Sequence, residues 1–328
     1  MTLAAPAAPL PRALACATIA ASEPAALVAL LRDALGWRIC AEGALDASLE
    51  ACWGIAARSA GAYFWLLASP GADRGMIRVV QGADRWPARP IGARWSGVEI
   101  VVAEGIDELA ARLASRPDFR LLKAPRSADF TSAGSNVHRF FHGRGPGGTH
   151  FMFTMAVTQA RDRAFTAAMA PIGHVFAAPL VTADFNASRN FYREVLGMVP
   201  ILQASMRTGL WHESWDLADG TPVELEILRG DAPGTGLGHI ELQGYEARWI
   251  DAVEARADRF DGGASLVTFT VADIESAWRR LRGLPGVHAC TAEPRPLAAA
   301  PYAGGRSFCF IAPGGERIEL CERWTVRN

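Results

Sequence analysis

Along much of the chain, apolar and polar residues alternate with a period of two. In the stretch from Arg317 to Cys321, Ile318 and Leu320 interleave with Arg317, Glu319 and Cys321, as expected of a strand with one buried face. Pro313-Gly314-Gly315 predicts a turn that joins this strand to one beginning near Gly305. Elsewhere the period changes to that of a helix. Residues 24–35 carry the helical spacing and stop at Gly36, residues 106–113 and 184–197 carry it again, and Asp273 caps a further helix through Leu281. Each predicted helix follows an apolar strand, at residues 15–22, 97–103, 172–182 and 265–271. Three strand-like stretches follow each helix, among them 63–67, 223–228 and 239–243. The predicted order is βαβββ, written four times.

The chain also repeats itself. Residues 139–153 align without a gap on 306–320, with Pro146-Gly147-Gly148 over Pro313-Gly314-Gly315, and Leu30 to Gly36 echoes Phe191 to Gly197. An offset of close to half the chain predicts a tandem duplication. The expected organisation is a short disordered Ala/Pro-rich arm at 1–12, a first paired domain at 13–157, a linker at 158–170 and a second paired domain at 171–328.

Composition narrows the class. Half of the 328 residues are hydrophobic and a fifth charged, enough for a core in each half. A net charge of −1 gives no footprint for nucleic acid, and no basic or acidic run suggests a membrane surface. No long uncharged apolar window predicts a membrane span. The six cysteines form no C-x-x-C pair and read as reduced thiols, which places the expected compartment in the cytoplasm. No nucleophile elbow, Walker loop or dinucleotide fingerprint stands between a strand and a helix.

With four βαβββ units, the 184–197 segment and the 305–322 hairpin, the sequence resembles the vicinal oxygen chelate superfamily of glyoxalases, bleomycin and fosfomycin resistance proteins and extradiol dioxygenases. The resemblance covers nearly the whole chain. It implies an α+β fold of tandem modules, in two domains of two modules each, with mixed sheets curved into cups. It also implies metal ligands on the cup face, usually His in each module's first strand and Glu in its last. Here the first-strand positions are Cys16, Val98, Ala177 and Leu266, and the last-strand positions are Arg78, Met152, Glu241 and Glu319. The usual triad is therefore broken, with both carboxylates in the second half.

His239 stands two residues before Glu241, so His239, Glu241 and Gln243 share a strand face. A glyoxalase-like domain would bring Glu241 and Glu319 close together, where two carboxyls raise one another's pKa or demand a cation. Glu241, Glu319 and His239 are thus the candidate acid/base groups and the only candidate ligands for a divalent Fe, Mn, Zn or Ni. No tightly held metal is expected at the usual position. Arg317, Gln243, Thr268, Thr270 and Ala177 are expected to line the pocket, although Arg317 could instead form a plain salt bridge. The first-half cup, with Cys16, Thr18, Ala20, Val98, Ile100, Val102, His150, Met152 and Thr154 facing in and Arg78 as its main charge, reads as a degenerate site. His138, His142 and His150 read as surface or packing histidines.

The reading that results is a glyoxalase- or extradiol-dioxygenase-like enzyme acting on a small oxygenated, perhaps aromatic, metabolite in the second-domain cup, by dioxygenase, lyase or isomerase chemistry. The alternative is a metal-free protein that binds and sequesters a small molecule. A third reading is a scaffold whose role lies in dimerisation.

Overall fold

The computed structural model describes residues 10–55, 62–82, 94–133, 136–158, 168–207, 209–230, 239–246, 250, 260 and 262–326. The first module comprises β1 (Pro11–Ala21), α1 (Pro24–Ala29), β2 (Arg38–Ala44), α2 (Ala47–Trp53), β3 (Tyr63–Ala68) and β4 (Met76–Gln81). After β5 (Arg94–Trp95), the second has β6 (Val98–Val102), α3 (Ile106–Ala114), β7 (Arg120–Leu121), β8 (Arg126–Asp129), β9 (Val137–Arg144) and β10 (His150–Ala156). The third has β11 (Ile172–Thr182), α4 (Phe185–Asn190), β12 (Val199–Met206), α5 (Leu210–Trp215), β13 (Val223–Arg229) and β14 (His239–Gly244). The fourth has β15 (Gly263–Val271), α6 (Ile274–Leu281), β16 (His288–Ala289), β17 (Arg295–Pro296), β18 (Arg306–Ile311) and β19 (Arg317–Cys321).

Local chemistry explains these boundaries. Asp46, Asp184 and Asp273 accept hydrogen bonds from the backbone N–H groups of Leu49, Ala187 and Ser276 at 2.8, 2.9 and 3.0 Å, which caps α2, α4 and α6. The duplicated segments at Leu30 and Phe191 widen in the same way. Leu35 N–H reaches back to Leu30 O, and Leu196 N–H to Phe191 O, one residue beyond the α-helical partner.

The strands form two sheets, each built from two modules, but the partners are not neighbours in sequence. One sheet runs β16-β18-β19-β15-β1-β4-β3-β2 and joins the first module to the fourth. The other runs β12-β13-β14-β11-β6-β10-β9-β7 and joins the second to the third. First strands make both seams, antiparallel: Cys16 lies opposite Thr268, and Glu99 opposite Ala177. The expected side-by-side pairing of 13–157 and of 171–328 is therefore corrected to one that is nested in sequence, with modules 2 and 3 paired together and modules 1 and 4, on either side of them along the chain, paired directly through β1 and β15. The modules are alike enough that local sequence does not choose the partner.

Helices α1, α3, α4 and α6 cover one face of each sheet, and the covered faces meet in one continuous apolar core that includes Leu14 and Ile19 of β1, Val98 and Ile100 of β6, Leu180 of β11 and Phe269 of β15. The opposite faces form the two cups, each with its own cluster. Two further corrections follow. Val98, Ile100 and Val102 face the shared core, whereas Glu99 and Val101 belong to the cup side. In addition, β1 begins at Pro11, paired with Val271, inside the stretch expected to be a disordered arm. Residues 1–9 of that arm and 159–167 of the expected linker lie outside the described residues.

Candidate functional site

The nested pairing separates the two acids singled out from sequence. Glu319 stands in the cup of modules 1 and 4, Glu241 in the cup of modules 2 and 3. The expectation that they face each other is thereby overturned.

In the outer cup, Glu319 is fully buried and its carboxylate is saturated. Thr268 Oγ1 donates to Oε2 at 2.6 Å, Ser307 Oγ to Oε1 at 2.8 Å, Trp53 Nε1 to Oε1 at 3.2 Å, and the Tyr302 hydroxyl lies at 3.0 and 2.9 Å from the two oxygens. Behind Tyr302 stands Arg78, also buried, whose Nη2 donates to the phenol oxygen at 3.0 Å and whose guanidinium lies 4.8 Å from the centre of the Trp53 ring. A guanidinium and a carboxylate are thus joined through one phenol. Burial pushes the neighbouring Cys16 thiol up to about 12, so it stays protonated. Arg317 shares the strand face of Glu319, but its Nη1 donates to the Trp53 carbonyl at the end of α2. Thr270 sits opposite Cys321 at the end of the same seam.

The inner cup holds a different arrangement. Glu99 of β6 and Glu241 of β14 are both buried and are hydrogen-bond neighbours. Burial, and then the charge of Glu241, holds the Glu99 carboxyl well above the usual carboxylate range, and burial also raises Glu241. Two buried carboxyls at hydrogen-bond distance are stabilised when they share one proton. Thr154 Oγ1 donates to Glu99 Oε1. On the other side Gln243 Nε2 donates to Glu241 Oε1 at 2.5 Å, Tyr245 hydroxyl to Gln243 Oε1 at 2.8 Å, and Trp215 Nε1 to the Tyr245 oxygen at 3.1 Å. The two carboxyls floor a cavity of about 30 Å³ walled by Phe130, Phe140, Phe176 and Trp211. As it stands, that space admits little more than a water molecule, and α5, which carries Trp211, forms part of its wall.

Gln243 is thus hydrogen-bonded to Glu241, while His239 Nδ1 lies 3.0 Å from the Phe176 carbonyl and Ala177 stands directly opposite His239 in the strand pairing. The three clustered histidines are packing groups, as one reading had it, but they are not on the surface. His138, His142 and His150 are all buried, and His150 Nδ1 lies 2.9 Å from Ser96 O, with its pKa pressed down to about 3 by burial.

Among the described residues neither cup gathers three donors around one point, as a divalent metal requires. In the outer cup every oxygen of Glu319 is already hydrogen-bonded, and the cationic Arg78 occupies the last-strand position of its module. In the inner cup Glu99 and Glu241 are present and His138 lines the same cavity, but the family's ligand positions Ala177 and Met152 supply no donor. Among the described residues no three His, Cys, Asp or Glu side chains converge as a metal site. The donor set does not fit the group that the resemblance implies.

Glu99, Trp53 and Tyr302 were missed from sequence. Val98-Glu-Ile-Val-Val is apolar on both faces, so alternation could not say which way Glu99 points. Trp53 had a usable signal, a short capped helix ending in Trp-Gly.

Two cups on mixed sheets, built from paired βαβββ modules, are the fold that the resemblance implies. Residues 171–320 match the family model described as Glyoxalase/Bleomycin resistance protein/Dioxygenase superfamily. Glyoxalase I from Zea mays has the same fold, with a TM-score of 0.59 at 17% identity over 95% of this chain and 92% of that one. A mutant of the same enzyme gives 0.61 at 15% identity, covering 95% and 93%. A candidate dioxygenase from Bacillus subtilis gives 0.59 at 14% identity, covering 96% and 86%. At such identities the likeness is one of fold. No curated protein matches the sequence. No helix among the described residues is long and apolar enough to cross a membrane.

Proposed function

We propose that the protein is an enzyme of the glyoxalase- and dioxygenase-like superfamily that moves a proton on a small oxygenated, perhaps aromatic, molecule in the inner cup. The observation that carries this reading is the buried Glu99–Glu241 pair at the floor of an aromatic-walled cavity. Two buried carboxyls that share a proton can act as general acid and general base on one substrate. Glu241, aligned by Gln243, serves as the base; Glu99, whose carboxyl burial raises furthest and Thr154 anchors, serves as the acid. The Phe and Trp walls exclude water, which strengthens both groups, and favour a flat apolar substrate body. Substrate entry requires the wall on the α5 side to move outward. Isomerisation or elimination next to a carbonyl is the chemistry that such a pair performs without a metal, whereas the saturated Glu319 serves the fold. A cytoplasmic, small-molecule-directed protein, as a single chain or a homodimer, is consistent with this role.

The test is a panel of small 2-oxo and hydroxy-aromatic compounds incubated with the protein in D2O, read by loss of a substrate C–H signal. Exchange that is present in the wild type and lost in both Glu99→Gln and Glu241→Gln supports the assignment. Exchange retained in both variants sinks it. The enclosed aromatic wall also favours a second reading, metal-free binding and sequestration of an aromatic compound. That reading predicts saturable quenching of Trp211 fluorescence with no exchange and no turnover.

A further inference from the structure

The outer cup holds a second reactive feature, in its thiols. Cys290 follows β16 directly, and the antiparallel register His288 to Ile311 and Ala289 to Phe310 sets Cys290 opposite Cys309 of β18. The Cys290 backbone N–H donates to the Cys309 carbonyl at 2.9 Å. Directly opposed residues of this kind have Cα atoms about 5.5 Å apart, inside the range of about 4.4–6.8 Å that a disulfide spans. The two thiols are hydrogen-bond neighbours, with Cys309 the donor, and Arg317 Nη1 lies 3.6 Å from Cys290 Sγ. Cys290 is half-buried and Cys309 fully buried. One thiol is therefore reachable and faces a cation, and the second waits behind it.

We propose that Cys290 and Cys309 form a reversible thiol–disulfide site, with Cys290 as the attacking thiol and Cys309 as the resolving one. The oxidant is a hydroperoxide. The Cys290 thiolate attacks one peroxide oxygen, the O–O bond breaks, Cys290 becomes a sulfenic acid, and the departing alkoxide takes a proton. The Cys309 thiol then attacks that sulfur, the S–S bond forms, and hydroxide leaves with the Cys309 proton as water. Two thiols lose two electrons, and the hydroperoxide is reduced to an alcohol and water.

The surroundings favour this order of events. The hydrogen bond from Cys309, followed by the charge of Arg317, brings the Cys290 thiol down to about 7, against the upward push of burial. Burial holds Cys309 well above the usual thiol range, so it stays protonated until a sulfenic acid appears. Among the described residues, Cys52 of α2 also acts on Cys290, and burial keeps its thiol protonated. Arg317 donates to the Trp53 carbonyl as well. The end of α2 over the outer cup therefore shares its anchor with the reactive sulfur.

The experiment uses the full chain and hydrogen peroxide. Mild peroxide should remove two of the six free thiols, give a Cys290–Cys309 linked peptide lighter by two hydrogens, and return both thiols on treatment with dithiothreitol. In Cys309→Ser the sulfenic acid at Cys290 should persist and be trapped by dimedone. If that variant fails to fold, the wild type still decides through its alkylation rates. At pH 7.5 iodoacetamide should modify Cys290 about ten-fold faster than the half-buried Cys40, allowing for the lower nucleophilicity of a more acidic thiol. A Cys290 that reacts no faster than Cys40, or oxidation that yields no Cys290–Cys309 link, overturns the proposal.

Discussion

Trp53 and Trp215 hold the same place in two modules and serve different partners. Each ends a short helix inserted between the second and third strands of its module, and each is followed by a residue in the left-handed region, Gly54 at φ 65° and Asp216 at φ 52°. The indole of Trp53 reaches the Glu319 carboxylate itself, at 3.2 Å, whereas that of Trp215 reaches Tyr245 and stops two hydrogen bonds short of Glu241. The same device thus closes the carboxylate in one cup and leaves the acid pair exposed to a cavity in the other.

That difference predicts a stability effect in the outer cup. Replacing Glu319 by Leu strips Thr268, Tyr302 and Trp53 of their acceptor, leaves Ser307 with the Leu320 carbonyl alone, and leaves Arg78 charged and buried. Loss of one partner from such a site costs about 3–5 kcal/mol, to be read as a lower urea midpoint. The double variant Arg78→Met, Glu319→Leu should recover a large part of the loss. An undisturbed midpoint in the single variant would remove the Arg78–Tyr302–Glu319 network as a stabilising feature.

In the inner cup the opposite is expected. Glu99→Gln keeps the shape and replaces a carboxyl that is already neutral, so folding stability near neutral pH should change by less than about 1 kcal/mol, while proton exchange on a bound substrate is lost. Chemical denaturation run beside the D2O assay separates the two effects.

Glu316 gives a pH dependence with a definite sign. It is buried, accepts from the Tyr192 hydroxyl at 2.5 Å, and burial raises its carboxyl to about 7 from 4.5. A folded pKa above the unfolded one means that the folded state holds the proton more tightly. The contribution is therefore complete below about pH 4.5 and is lost as pH rises through about 7, a fall of up to about 3 kcal/mol. Urea unfolding at pH 5 and pH 8 should show it, and Glu316→Gln should flatten the slope between these values.

The two helix-ending residues predict opposite responses to substitution. A Cβ on Gly54 would stand 2.7 Å from the Cβ of Cys290 at a positive φ, so Gly54→Ala should lower the melting temperature by several degrees, at a cost of about 1–2 kcal/mol. Asp216→Gly removes a Cβ from the same left-handed conformation and should be neutral or stabilising by up to about 1 kcal/mol. Destabilisation of comparable size in both variants would show that the local backbone conformation is not the deciding factor.

The sequence made the strands, the duplication and the superfamily legible, because period-two alternation and the Pro-Gly-Gly turns are local signals. Glu319 and Thr268 were placed on one face because Ile318 and Leu320 marked the other. Glu99 had no such marker, since β6 is apolar on both sides. The partner of each module was equally hidden, because β1 and β11 present similar first strands and only the whole packed core selects between β15 and β6. Arg78 was legible as the main charge of its cup, but its link to Glu319 depends on that same choice of partner.

The nested pairing also sets an order of events during synthesis. Modules 2 and 3 are neighbours along the chain and can close their sheet as soon as the third has emerged. The first strand cannot, because Cys16 waits for Thr268 near the far end of the chain. Until then β1 presents an open strand edge, which is the kind of surface that recruits the wrong partner. A chain arrested before the fourth module should therefore depend on chaperones, and a circular permutant that places module 4 ahead of module 1 should fold faster than the natural order.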